Sequence, residues 1–238
     1  MYQCVICDLD DTLYDYASIH PKAMRAVSEY MNSEFHIENS QFINEFKKAQ
    51  KCVKLQIGNE FASSHNRLLY FQRLLENLQL PIFPYATILY DIYWNTILGA
   101  IQLNDGVKEM LIYWKEKGIL FGICTDLTAH IQYKKIKKLG IEEYISFLVT
   151  SEEAGIEKPN AKIFELCLEK TRLLPEQCCF IGDNFIKDIK GAHYVGITPI
   201  WFNQSSKNSI DMQDKAECSY YEFSNWKKLF ERRREFWS

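Results

Sequence analysis

The sequence predicts an α/β fold, a doubly wound parallel sheet with an all-helical segment inserted after its first strand. Three observations predict it. Short apolar runs alternate with helical patterns along much of the 238 residues, and most of these runs end in polar residues, often acidic ones. Strands that alternate with helices are typical of a parallel sheet buried on both faces. One long stretch near the start of the chain, finally, shows helical signals only.

Five apolar runs are predicted to be the strands. The first, Gln3 to Cys7, is almost continuously apolar and stops at Asp8, as a strand buried on both faces does when it reaches the edge of its sheet. The others lie at 119–124, 147–149, 178–181 and 198–202, and helical patterns at 106–117, 128–139, 161–170 and 185–195 lie between or before them. Ligands of such sheets bind at the carboxyl ends of the strands, where these polar residues fall.

Residues 16–100 do not fit this alternation. Pro21 lies near the start of one helical segment, Ser40 is a candidate N-cap of a second, and an apolar stripe and an aromatic-rich run follow at 67–78 and 85–98. Because an ordinary βα loop has about 2 to 6 residues, the stretch is predicted to be an inserted helical domain. The α/β core would then consist of residues 1–15 and 101–238.

The end of the chain is predicted to contain three further elements. Residues 203–217 are polar and indicate an exposed loop, residues 218–220 indicate a short edge strand, and residues 223–236 form an amphipathic pattern typical of a last helix. No internal repeat is apparent.

Composition excludes several classes of protein. With 28 Lys and Arg against 31 Asp and Glu, the net charge of −3 does not favour nucleic acid or a membrane surface as a partner. The apolar runs are shorter than the roughly 20 residues of a membrane span. The first residues do not show the pattern of a signal peptide. We therefore expect the eight cysteines to be free thiols in the reducing cytosol.

Polar residues at the strand ends indicate a phosphate site. Asp8 and Asp10 are two residues apart and point the same way if the strand continues, and the sheet would bring Asp183 near them. Carboxylates this close repel one another unless a cation lies between them, and Mg²⁺ favours such ligands. Lys158 adds a fixed positive charge and Thr125 a hydrogen-bond donor, both suited to phosphate oxygens.

These residues resemble the motifs of the haloacid dehalogenase (HAD) superfamily, and the chain resembles the phosphatases of its subfamily I, which carry an inserted helical C1 cap. Residues 8–13 match the DxDxT first motif, Thr125 the second, Lys158 the third, and residues 182–188 the GDxxxxD fourth. The motifs occur in the family's order along nearly the whole chain.

The resemblance implies a role for each residue. Asp8 would be the nucleophile that forms an aspartyl-phosphate. Asp10 would protonate the leaving group and then activate water. Thr125 and Lys158 would bind the phosphoryl oxygens, and Lys158 would also restrain Asp8.

The resemblance also implies an Mg²⁺ site. Asp8 and Asp183 would bind the ion through their carboxylates, and Asp10 would bind it through its backbone carbonyl. Asp188 and Asn184 would orient these ligands without binding the ion themselves.

The residues also bear on the choice of reaction. Family members that are true dehalogenases lack an aspartate at the position of Asp10, because a halide leaves without a proton, so Asp10 favours phosphate ester hydrolysis. Asp126 follows Thr125 where asparagine is common in the family, and we expect its carboxylate to turn away from the phosphate or to serve the cap.

Substrate choice would come from the cap. Residues 150–164 resemble phosphatases of small metabolites, such as nucleotide 5′-phosphatases and acylneuraminate 9-phosphatases. Candidate residues for specificity are Tyr14, Tyr16, His65 and Arg67. The other four histidines show no metal-ligand spacing and are expected to be surface or packing residues.

The sequence therefore predicts a cytosolic, Mg²⁺-dependent phosphatase of a small phosphorylated metabolite of the nucleotide or sugar phosphate type, acting as a monomer or homodimer. A phosphomutase or phosphonatase on the same scaffold and a non-catalytic phosphate-binding protein remain alternatives. Two-component receiver domains use a similar Asp, Thr and Lys set, but they are about half this length and have no cap.

Overall fold

The structure, a computed structural model, describes residues 1–204 and 217–237. The chain divides into two compact units. The first consists of Met1–Asp15 with Gln102–Ser238, and the second is Tyr16–Ile101.

The first unit contains a six-stranded parallel sheet in the order β3-β2-β1-β4-β5-β6. Its strands are β1 (Cys4–Cys7), β2 (Leu120–Thr125), β3 (Phe147–Thr150), β4 (Cys178–Gly182), β5 (Thr198–Phe202) and β6 (Tyr221–Phe223). This is the strand order of a doubly wound sheet, in which the connections change direction beside β1. The predicted α/β class, with a helical segment inserted after the first strand, is confirmed.

The central strands are buried because their residues are apolar on both faces. Every residue of β1 and β4 is buried. Phe180 of β4 packs against Phe164 on one face, with their ring centroids 5.2 Å apart. Cys7 of β1 pairs with Ile123 and Ile181, so the three strands end at nearly the same level.

Polar side chains cap the beginnings of some helices of the first unit. Asn160 accepts a hydrogen bond from the backbone N–H of Lys162, and Thr150 accepts one from that of Glu153. The helices numbered in chain order after the inserted unit are α5 (Val107–Glu116), α6 (Ala129–Leu139), α7 (Ser151–Ala154), α8 (Ala161–Thr171), α9 (Gly191–Tyr194) and α10 (Trp226–Glu231). A π-helical turn, Phe185–Lys190, leads directly into α9.

The second unit consists of helices α1 (Tyr16–Phe35), α2 (Asn39–Ile57), α3 (Arg67–Asn77) and α4 (Tyr85–Ala100), with a 3₁₀ turn before α3. Helix α1 packs against α4, and α2 packs against α3. Aromatic rings fill the space between them, with Phe46 and Tyr93 both against Phe71. The aromatic-rich run of residues 85–98 thus contributes to the core of this unit.

The end of the chain differs from the prediction. The edge strand is β6, at 221–223 rather than 218–220, and the last helix begins only at Trp226 because the Asn225 side chain accepts the first free N–H groups. Most of the predicted loop, residues 205–216, lies outside the described residues. Among the helices that the structure describes, none has the length and apolar character needed to cross a bilayer.

Candidate active site

The site lies at the carboxyl ends of β1, β2 and β4. Asp8 follows β1, Thr125 ends β2, and Asp183 follows β4. The backbone N–H of Asp8 still bonds Ile181, at 2.9 Å, but the chain then turns sharply, with a positive φ of 60° at Asp11. The strand therefore does not continue as far as Asp10.

Two side chains from distant parts of the first unit hold this turn. The Asn104 amide and the indole N–H of Trp226 donate to the carbonyl of Thr12, at 2.9 and 3.1 Å. Helix α10, which carries Trp226, thus fixes the loop that follows the first strand.

Lys158 lies between two carboxylates. Its ammonium is 2.6 Å from Oδ1 of Asp8 and 2.7 Å from Oδ1 of Asp188, and it also donates to the carbonyl of Cys124. Although burial opposes its charge, Asp188 and Asp8 raise the pKa of Lys158 well above its usual value. The ammonium therefore stays charged beside Asp8.

The third carboxylate of this group is Asp183, and Asp8, Asp183 and Asp188 each offer an oxygen within 4.8 Å of the others. Burial first, and then the charges of Asp188 and Asp11, raise the pKa of Asp183 to about 7. The indole of Trp201 fixes the Asp183 backbone by donating to its carbonyl, at 2.8 Å.

Gly182 allows the Asp188 side chain to lie close to the end of β4. A Cβ there would lie 2.4 Å from Oδ2 of Asp188, which accepts the backbone N–H of Asn184 at 2.9 Å. The sequence predicted that Asp188 would support the metal ligands without being one of them. In the structure, one of its oxygens belongs to the same cluster as those of Asp8 and Asp183.

The cluster formed by the three carboxylates fits a divalent cation. Three acidic side chains lie together and one ammonium contacts only two of them, and burial is the main reason that the pKa of Asp8 lies well above its usual value. Clustered carboxylate oxygens are the donors that Mg²⁺ prefers, and a bound cation would offset their repulsion.

The carboxylate of Asp10 has separate partners. Lys135 of α6 bonds both of its oxygens, at 2.8 and 2.7 Å, and the Tyr14 hydroxyl donates to Oδ1. The amide of Gln132 lies 3.4 Å from Oδ2. Burial opposes ionisation of Asp10, but Lys135 and these donors outweigh it and lower its pKa.

Thr125 and Asp126 point to different partners. The Thr125 hydroxyl accepts a 2.7 Å bond from Gln132 and donates to the Asp126 carbonyl. The Asp126 carboxylate lies 2.8 Å from the Lys187 ammonium and also accepts the backbone N–H of Lys158. Its charge is therefore compensated by Lys187.

The four candidates for substrate specificity fall into two groups. Tyr14 belongs to the first unit, where it bonds Asp10. In the helical unit, Arg67 donates to the Tyr16 hydroxyl at 3.0 Å and to the carbonyl of His65 at 2.7 Å. Tyr16 also bonds Tyr93, at 2.5 Å.

His20 completes the polar network of the helical unit. Its Nδ1 lies 2.7 Å from the Tyr93 hydroxyl, and burial first, then the Arg67 charge, lower its pKa from 6.5 to about 4. In the unfolded chain His20 binds a proton near its ordinary pKa, whereas in the folded protein it does so only near pH 4.

This difference predicts acid sensitivity. The contribution of His20 to the free energy of unfolding should be full above its ordinary pKa of 6.5 and should be lost as the pH falls toward about 4. Urea unfolding across that range should show a smaller loss for His20→Asn than for the wild type. Equal losses in the two proteins would contradict the prediction.

Several functional candidates escaped the sequence analysis, notably Lys135, Gln132 and Lys187. A signal for the first two was present, because both interrupt the otherwise apolar buried side of α6 that Ile131 and Ile136 form. Lys187 showed none, since the pattern contained nothing to link it with Asp126.

Comparison with known proteins gives consistent matches. The model of the haloacid dehalogenase-like hydrolases matches residues 2–196. A ribulose-1,5-bisphosphate 5-phosphatase of Halopiger xanaduensis is 33% identical over 219 residues, covering 91% of each chain. A glyceraldehyde 3-phosphate phosphatase of Pyrococcus furiosus is 27% identical and covers 91% of this chain and 87% of its own.

Solved structures share the fold. The HAD-hydrolase YfnB of Bacillus subtilis, crystallised with bound magnesium, superposes with a TM-score of 0.72 at 21% identity, over 98% of this chain and 99% of that one. At this identity the likeness concerns the fold.

Proposed function

The chain belongs to the haloacid dehalogenase-like hydrolases, and on that premise we propose that it is an Mg²⁺-dependent phosphatase of small sugar phosphates that acts through an aspartyl-phosphate. One observation carries the proposal. Asp8 lies against Lys158 and beside two further carboxylates, and Asp10 is held separately only two residues along the chain.

Asp8 is the proposed nucleophile. Lys158 fixes the orientation of its carboxylate at 2.6 Å and stays charged, so it can also bind an oxygen of the transferred phosphoryl group. An oxygen of Asp8 attacks phosphorus, and the bond between phosphorus and the ester oxygen breaks. The Thr125 hydroxyl, at the end of β2, is a second donor for the phosphoryl oxygens once it leaves the Asp126 carbonyl.

Asp10 is the proposed proton-transfer group. Asp10 must carry a proton when the ester bond breaks, although Lys135 lowers its pKa, and it gives that proton to the leaving alkoxide. It then takes a proton from a water molecule that attacks phosphorus in the aspartyl-phosphate, which releases inorganic phosphate and restores the carboxylate of Asp8.

The metal site would be formed by Asp8, Asp183 and Asp188, with the backbone carbonyl of Asp10 as a further proposed ligand. When bound, Mg²⁺ supplies positive charge that lets the phosphate dianion approach this acidic group.

The substrate class rests on the relatives. Two relatives with similar lengths are phosphatases of ribulose-1,5-bisphosphate and glyceraldehyde 3-phosphate, which favours a sugar phosphate over a nucleotide. Tyr16, His65 and Arg67 remain the proposed specificity residues. The eight free cysteines suit a reducing cytosol.

Phosphate release from a panel of sugar phosphates, nucleotides and p-nitrophenyl phosphate tests the proposal. We expect release with Mg²⁺, fastest with sugar phosphates, and a fall of at least about a hundredfold with a chelator. Added Mg²⁺ should restore it.

Each other outcome has a distinct meaning. Release that a chelator leaves unchanged would contradict the metal site. Isomerised sugar phosphate without net release would indicate a phosphomutase, and release from phosphonates alone a phosphonatase. Phosphate binding without turnover of any compound would indicate a non-catalytic protein.

A further inference from the structure

The two aspartates of the first motif each have a lysine partner, and the second partner comes from a helix that the motif does not include. Lys158 bonds Asp8, and Lys135 of α6 bonds Asp10. The Lys135 side chain is fully buried, whereas 22% of the Asp10 side chain is exposed. Burying an ammonium is costly unless a partner compensates its charge, and here Asp10 is that partner.

The backbone alone leaves the direction of the Asp10 carboxylate open. β1 ends at Cys7, and the chain turns at Asp11, directly after Asp10. The side chain therefore depends on the groups around it. Lys135 contacts both of its oxygens, which fixes the plane of the carboxylate as well as its position.

Gln132 links this contact to the phosphate-binding strand. It lies three residues before Lys135, on the same side of α6, and its amide donates to the Thr125 hydroxyl and to the Asp126 carbonyl, both at 2.7 Å. The same amide lies 3.4 Å from Asp10. One helix thus contacts both a proposed phosphate ligand and the proposed proton-transfer group.

We propose that Lys135 is a positioning residue that orients the Asp10 carboxylate toward the leaving group and the attacking water. Gln132 holds α6 against the end of β2. The proposal rests on the proposed function, because it assigns Lys135 a role through Asp10. Lys135 itself exchanges no proton and forms no bond to substrate.

Two substrates separate positioning from a general structural role. p-Nitrophenolate leaves as a stabilised anion, so formation of the aspartyl-phosphate from p-nitrophenyl phosphate does not need Asp10. Its hydrolysis by water does. With an alkyl phosphate such as glycerol 3-phosphate, both steps need Asp10.

The test compares Lys135→Met with the wild type by rapid mixing. With p-nitrophenyl phosphate, the variant should release a burst of one p-nitrophenolate per enzyme at a rate within about threefold of the wild type. Steady-state turnover should then fall by about 10- to 100-fold. With glycerol 3-phosphate, kcat should fall at least as much, with little change in KM.

The burst amplitude counts folded, active enzyme, so a loss of stability cannot imitate this pattern. Lys134→Met is the matched control, because Lys134 is the exposed neighbour on the same helix, and its variant should behave as the wild type in both assays.

Several outcomes would overturn the proposal. A burst rate and a turnover that fall together in Lys135→Met would indicate a structural role, and unchanged turnover would indicate none. If Lys135→Met does not fold, Lys135→Arg replaces it, and the same pattern is expected with a turnover about 3- to 10-fold below the wild type. A wild type that releases no p-nitrophenolate would contradict the proposed function instead.

Discussion

Replacing Asp8 by asparagine should reduce phosphate release by at least about a thousandfold. The amide keeps the shape of the side chain, and its oxygen can still accept a bond from Lys158, but it is not a nucleophile that can form an aspartyl-phosphate. Release of inorganic phosphate in the presence of Mg²⁺ measures the loss. Turnover above about a tenth of the wild-type value would show that Asp8 is not the nucleophile.

Stability should not explain this loss. Burial and the neighbouring carboxylates raise the pKa of Asp8, so its ionised form is unfavourable in the folded protein. Asp8→Asn should therefore unfold no earlier than the wild type in the presence of a chelator. Asp105→Asn is a matched control, since Asp105 forms an exposed ion pair with Lys227 that contributes little.

The sequence predicted the sheet well because its central strands are apolar on both faces. An apolar run such as that of β1, which stops at an aspartate and is followed by helical patterns, has few interpretations other than a buried strand. The parallel order then places the ends of β1, β2 and β4 together, which is why Asp8, Thr125 and Asp183 could be grouped before the structure was known.

The direction of Asp10 could not be predicted in the same way. If the strand continued past Asp8, both carboxylates would point the same way. In the structure the chain turns at Asp11, and Asp8 and Asp10 bond different lysines. Alternation along a strand carries no information about such a turn.

The contact between Lys135 and Asp10 was missed for a related reason. Lysines are nearly always exposed on a helix, so a single lysine on the apolar side of α6 is easily overlooked. Its position there indicates a buried charge but not the partner of that charge, which lies 125 residues away in the sequence. Local capping likewise decided where α10 begins, because Asn225 satisfies the first free N–H groups.

Replacing Asp10 by asparagine should slow the second step of the reaction more than the first, so that the aspartyl-phosphate accumulates. The amide cannot accept a proton from water, so with p-nitrophenyl phosphate the first step proceeds and the second slows by about a hundredfold to ten-thousandfold. Acid-quenched protein should then carry one phosphoryl group on Asp8, detected by intact mass. Full turnover, or an equally slow first step with this substrate, would contradict the role of Asp10.

The same variant tests whether Lys135 acts through Asp10. If positioning of Asp10 is the main contribution of Lys135, adding Lys135→Met to Asp10→Asn should lower turnover by less than about threefold, since the group to be positioned has already been lost. Two effects that multiply would instead place Lys135 in an independent role. Because Lys135 and Asp10 are in direct contact, a strong departure from additivity is the expected result.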